Sequence, residues 1–201
     1  MDWVLIGTII AIIILIVWYR FRGAQNLGSY TKENIETVNY NNNVEYSIIP
    51  NKCVCAFDID YTITCGNPKP FVDKCIEHGC KLAINTARPI KYIGDVDLDS
   101  INFKSPFYEE EDLYYNTNSY SQTATQVAEV KTTFLDLLRN KYTIPDKKCV
   151  ILLDDHKTNI KIAESKGYST IKAIPTKGPN CGLDSFDLQI LDDKLSFCEQ
   201  V

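Results

Sequence analysis

The alternation of apolar and polar positions divides the chain into three lengths of different character. Over residues 3–19 every residue is uncharged and nearly all are apolar, a run of about 17, at the short end of what crosses a bilayer as a helix. Residues 23–47 are polar, cluster Asn39, Asn41, Asn42 and Asn43, show little periodicity and read as a tether. Beyond Cys53, short apolar runs alternate with helical patterns, as in a sheet built from βαβ units. Strands are predicted over 53–57, 81–85, 149–153 and 169–174, each short and apolar enough to be a buried parallel strand. Helices are predicted over 71–78 and 159–166, closed by Gly79 and Gly167, and over 125–139 and 184–195. The expected organisation is an anchor over 1–22, a tether over 23–47 and an α/β domain with a central, mainly parallel sheet over 48–201.

The flanks of the first run refine its meaning. Trp3, Trp18 and Tyr19 fall where interfacial rings are favoured, and Arg20 and Arg22 follow, which by the positive-inside tendency puts the domain on the cytoplasmic side of a single-pass anchor. A cleaved secretory signal fits less well, because the start is Met1-Asp2 and the basic residues lie after the apolar run. The whole chain of 201 residues carries a net charge of −5; without Asp2, Arg20 and Arg22 it holds 19 basic and 25 acidic residues, so nonspecific nucleic-acid binding is not expected. Eight cysteines would permit disulfides, but in a cytoplasmic domain free thiols are the simpler reading, with Cys53, Cys55 and Cys149 as small buried hydrophobes. Cys75, His78 and Cys80 lack a second half with zinc-ligand spacing.

The chemistry begins where the first predicted strand ends, in Asp58-Ile59-Asp60-Tyr61-Thr62. In an extended chain, residues two apart point the same way, so both carboxylates would emerge at the sheet edge where open α/β folds bind ligands. An acidic pair joined to a buried strand has no cheap structural explanation, and its repulsion calls for a divalent cation. Asp154-Asp155 ends another apolar strand in the same manner. If the two strands are neighbours, four carboxylates converge and offer the hard oxygen ligands that Mg²⁺ prefers. Thr86 would place a hydroxyl at that rim. On the helix over 125–139, Val127, Val130, Phe134, Leu137 and Leu138 form an apolar stripe, and Lys131 lies inside it, either snorkelling or aimed at an anion held by the carboxylates.

Taken in order, Asp58-Ile59-Asp60-Tyr61-Thr62, Thr86, Lys131 and Asp154-Asp155 resemble the four motifs of the haloacid dehalogenase-like (HAD) superfamily, with Asn159 and Gly167 also at familiar places. The resemblance covers roughly residues 53–174. It implies a Rossmann-like, three-layer fold and Mg²⁺-dependent hydrolysis of phosphomonoesters through an aspartyl-phosphate. Asp58 would be the nucleophile and Asp60 the acid and base. Thr86 and Lys131 would bind phosphoryl oxygens, and Asp58, the Asp60 carbonyl and Asp154 or Asp155 would hold the metal.

Several positions keep a second reading. Asp155 and Thr86 could be helix N-caps. Arg88 could reach a substrate anion or simply lie on the surface, His156 reads as solvated, and the run 109–112 as a solvated acidic loop. There is little room for a lid domain: the segment between Thr86 and Lys131, with Tyr92, Phe103, Phe107, Tyr108, Tyr114, Tyr115 and Tyr120, allows a modest aromatic flap. An open site suits a large phosphorylated substrate, a macromolecule or a lipid headgroup. The rival function is a tethered binding or scaffold protein that keeps the fold without turnover. A dehalogenase is disfavoured by the presence of Asp60.

Overall fold

The computed structural model describes residues 52–89, 92–116, 121–175 and 181–201. The expected anchor and tether lie outside these residues. Among the described residues no helix is long and apolar enough to cross a membrane.

Five parallel strands form one sheet: β1 (Val54–Phe57), β2 (Lys81–Thr86), β3 (Leu113–Tyr115), β4 (Val150–Asp154) and β5 (Ser169–Lys172), in the order β3-β2-β1-β4-β5. Every residue of β1 and β4 is buried. That explains their continuous apolar sequence, because a central parallel strand is covered on both faces. Four helices supply the cover: α1 (Lys69–Glu77), α2 (Ala124–Lys141), α3 (Lys157–Ser165) and α4 (Ser185–Glu199). Here α2 packs on α3, while α1 packs on α4. From β1 the chain steps outward to β2 and β3, then returns to β4 on the other side of β1 and steps outward to β5. The order therefore reverses between β1 and β4, and the crevice beyond their carboxyl ends is the natural ligand position.

The α/β expectation holds, and all four predicted strands and four predicted helices are present within a few residues of their expected ends. Thr123 and Gln126 form a capping box that starts α2. Gly79 and Gly167 take positive φ after α1 and α3, as helix-closing glycines do. The short strand β3 is unforeseen, since three half-buried residues carry no readable alternation.

Four expectations need correction. The buried face of α2 is Ala128, Lys131, Thr132, Leu135 and Leu138, rotated away from the apolar stripe, and Leu137 is 47% exposed. The run at 109–112 is not wholly solvated: Asp112 is buried and accepts from Lys141 Nζ at 2.7 Å and from the Tyr142 hydroxyl. The aromatic residues after Thr86 turn mostly inward, with Phe103 edge-on to Phe57 and Tyr108, and Tyr114 against Phe134, so they seal the β2–β3 side instead of forming a flap; Tyr120 lies outside the described residues. Finally, the cysteines are not all free. Cys53–Cys80, Cys65–Cys181 and Cys149–Cys198 are disulfides, and only Cys55 and Cys75 are thiols. His78 binds Asp192 and Glu199 of α4 at 3.0 and 2.8 Å, and Cys80 is in a disulfide, which leaves no zinc triad there.

The loop after Thr62 and the segment after β5 are held backbone to backbone. Gly66 bridges Leu183, and Gly182 exchanges hydrogen bonds of 3.0 and 2.8 Å with Ile174. Both glycines have positive φ, and a Cβ on Gly66 or Gly182 would run into the carbonyl of Cys181 or Cys65 respectively. Backbone cannot swing aside as a side chain can. Gly66→Ala and Gly182→Ala should each cost about 2 kcal/mol or more in a urea titration, whereas Gly94→Ala, which meets open space, should stay within about 1 kcal/mol of wild type.

Candidate active site

Register puts the two acidic strand ends side by side. Phe57 pairs with Leu153, so Asp58 and Asp154 each follow directly on neighbouring parallel strands, and the Asp58 N–H donates to the Leu153 carbonyl at 2.8 Å. One carboxylate oxygen from each of Asp58, Asp154 and Asp155 lies within 4.8 Å of the others. From α2, Lys131 brings its ammonium to 2.9 Å from Asp58 and 2.6 Å from Asp154. The lysine is 1% exposed, and its backbone carbonyl accepts from the Asn85 amide at 3.0 Å, which ties α2 to β2 at this level. The rotated face of α2 follows this contact: the helix presents Lys131 to two buried carboxylates, whose charge offsets the cost of taking the ammonium out of water.

Asp154 is the most heavily satisfied of the group. Its oxygens accept from Lys131, from the His156 N–H at 2.8 Å and from the Asn159 amide at 3.0 Å. The N-cap of α3 is His156, whose Nδ1 accepts from the Thr158 N–H, so Asp155 has no capping duty and is left for a ligand. Thr86 ends β2 two residues beyond the partner of Phe57 and is buried on the same rim. Its Oγ1 accepts from the Arg88 N–H at 3.1 Å, which leaves the hydroxyl hydrogen to donate to an anion.

The expectation of four converging carboxylates needs correction: three converge, and Asp60 faces Arg88. The two-apart rule holds only while the chain is extended. Ile59–Ile63 is instead a wide helical turn, broken at Asp60 (ψ 130°) and Tyr61 (φ 54°), and it throws the Asp60 carboxylate aside. There both Asp60 oxygens meet the Arg88 guanidinium, with Nε 3.4 Å from Oδ2 and Nη2 on Oδ1. Asn85 and this ion pair are what a reading of the sequence misses or leaves open. The available signal for Asn85 is a polar residue inside the apolar run that ends at Thr86.

Burial pushes the Asp58 carboxyl up to about 7, and the charge of Asp154 acts in the same sense, while Lys131 opposes both. Burial likewise raises Asp155, again with Asp154 contributing. Burial works against the charge on Lys131, but Asp154 and Asp58 outweigh it and hold the ammonium above its ordinary range. Three carboxylates and one ammonium leave a formal excess of two negative charges. Asp58 Oδ1 has the Lys131 ammonium, 2.9 Å away and shared with Asp154, as its close partner. A deficit of positive charge and an all-oxygen donor set within 4.8 Å fit a hard divalent cation such as Mg²⁺. A surface cleft between Lys148, Ser169 and Phe197 lies at the N-terminal ends of β4 and β5, the wrong end of the sheet for this chemistry.

No family model matches the chain, and no curated protein is found to be similar to it.

The Asp58 shift has a measurable sign. As pH rises from the ordinary aspartate value of 3.8 towards 7, the unfolded chain releases this proton while the fold keeps it. The metal-free protein therefore loses stability across that window, and the penalty is complete above it. Asp58→Asn should raise the melting temperature of the metal-free protein at pH 8, by less at pH 5, and Mg²⁺ should narrow the gap by binding the ionised wild-type site. A variant no more stable than wild type at pH 8 would contradict this account.

Proposed function

We propose that this protein is a membrane-tethered, Mg²⁺-dependent phosphomonoesterase of the HAD type, built on a three-layer Rossmann-like domain. The observation that carries the reading is the meeting of Asp58 and Asp154 on adjacent strand ends, with Asp155 beside them and the Lys131 ammonium within 2.9 Å of the first two. A carboxylate needs no base to become nucleophilic once ionised, and Asp58 sits buried at the point where the strand order reverses, slightly nearer solvent than Asp154. Bound at Asp58, Asp154 and Asp155, Mg²⁺ would offset the charge of the phosphoryl group. Lys131 and the Thr86 hydroxyl supply donors for phosphoryl oxygens. Asp60 serves as acid for the leaving oxygen and then as base for the hydrolytic water. Its side chain is half exposed, at the mouth of the site.

That mouth is open. Tyr61 and Tyr92 are exposed beside Asp60 and Arg88 in the chain, and the described part of the segment after Thr86 holds only short turns and β3. A large phosphorylated substrate, a macromolecule or a membrane lipid, is the class that such a rim admits. The tether suits targets at a membrane surface.

The test is turnover of p-nitrophenyl phosphate by the full chain in detergent, with and without Mg²⁺. Activity should require the metal and fall by at least about 10³-fold in Asp58→Asn, a loss of the size expected when a covalent nucleophile is removed. Activity that survives Asp58→Asn sinks the nucleophile assignment. Mg²⁺-dependent, Asp58-dependent binding of beryllofluoride with no hydrolysis across nucleotides, phosphopeptides, sugar phosphates and lipids would instead support a tethered scaffold.

A further inference from the structure

We propose that Arg88 is a positioning residue that holds Asp60 over the leaving-group side of the site, an inference that rests on the phosphatase reading above. Its guanidinium meets both oxygens of Asp60, and Nη1 also donates to the Tyr92 carbonyl at 2.9 Å. Its own backbone N–H is held by Thr86 Oγ1. The arginine is thus fixed at two points to elements of the rim, and Asp60 is fixed to it. An ion pair with side chains 20% and 50% exposed contributes little to stability. What it does contribute is direction, because a two-pronged contact with planar geometry selects one orientation of the carboxyl group.

The turn makes such a clamp necessary. Tyr61 adopts a left-handed conformation that a side chain disfavours, and it carries Asp60 out of the acidic cluster towards water. Without Arg88, a half-exposed aspartate would sample several rotamers. In the first step an Asp58 oxygen bonds to phosphorus, the bond from phosphorus to the ester oxygen breaks, and that oxygen takes its electron pair and a proton from Asp60. In the second step a water oxygen bonds to phosphorus, its proton passes to Asp60, and the bond to Asp58 breaks. Both transfers need the Asp60 carboxyl group within hydrogen-bond reach of one place, and Arg88 is the group that keeps it there.

Leaving-group dependence separates this role from phosphate binding. A nitrophenolate departs with little help, whereas an alkoxide needs a proton, so kcat/KM for p-nitrophenyl phosphate and for glycerol 2-phosphate reads the acid directly. Arg88→Gln should lower kcat/KM for the alkyl ester by about 10²-fold and for the aryl ester at least about tenfold less, with Arg88→Lys in between. In an Asp60→Asn background, Arg88→Gln should have no further effect. Equal losses on both esters, or a full further loss in the Asp60→Asn background, would overturn the assignment and make Arg88 a substrate-anion ligand. If wild type itself shows no Asp58-dependent turnover of either ester, the phosphatase reading fails first and the assignment falls with it.

Three disulfides join the starts of β1 and β2, the loop after Thr62 to the segment after β5, and the start of β4 to the last turn of α4, with Cα separations of 4.7, 5.5 and 5.5 Å. All lie in the range that a disulfide spans without backbone movement. We infer that the domain matures in an oxidising compartment, on the far side of the membrane from the cytosol, against the orientation that Arg20 and Arg22 suggest. The full chain, expressed in eukaryotic cells and denatured without reductant, should take up alkylating reagent at two cysteines, Cys55 and Cys75. In sealed microsomes the domain should resist added protease. Alkylation of all eight cysteines, or digestion of the domain in intact vesicles, would overturn the inference.

Discussion

The site depends on one buried ammonium. Lys131 lies between Asp58 and Asp154, and each partner makes the other two tolerable. Two carboxylates on adjacent strand ends would repel each other in a region with little water, and a lysine alone there would be neutral or outside. Together they form a charged layer directly above an apolar sheet, and the rotation of α2 and the Asn85 contact to the Lys131 carbonyl follow from the need to hold that lysine at this height.

The same arrangement remains short of positive charge. Lys131 is divided between two carboxylates, Asp155 adds a third, and burial raises the Asp58 carboxyl above its ordinary value. Such a site is stable as a fold yet unfinished as a charge distribution. In the function proposed above, a cation would complete it for the carboxylates and a phosphoryl group for Lys131 and Thr86.

Around this fixed floor the rim is held by covalent and backbone ties. Cys65–Cys181 and the facing glycines Gly66 and Gly182 fasten the loop that follows β1 and its acidic end to the segment after β5. Arg88 fastens Asp60 to the end of β2. The floor carries the groups that must not move, while the rim carries a half-exposed side chain whose orientation has to be imposed by a neighbour.

Much of this was legible in the chain itself, because strands buried on both faces must be continuously apolar and a carboxylate at the end of such a run stands out. The strand ends at Asp58 and Asp154 follow from that contrast, the helix ends at Gly79 and Gly167 from their glycines, and Lys131 from its place in a helical stripe, where snorkelling stayed an alternative. Short-range pattern does not carry the rest. β3 is too brief to show alternation, the stripe on α2 was misplaced by Leu137 because apolarity outweighs a lysine until its partners are known, and disulfide pairing depends on which cysteines the fold brings together. Tertiary structure alone decided that Asp60 leaves the cluster for Arg88, since the direction of a side chain after a strand ends is set by the turn and by whatever charge stands opposite it, residues away in sequence.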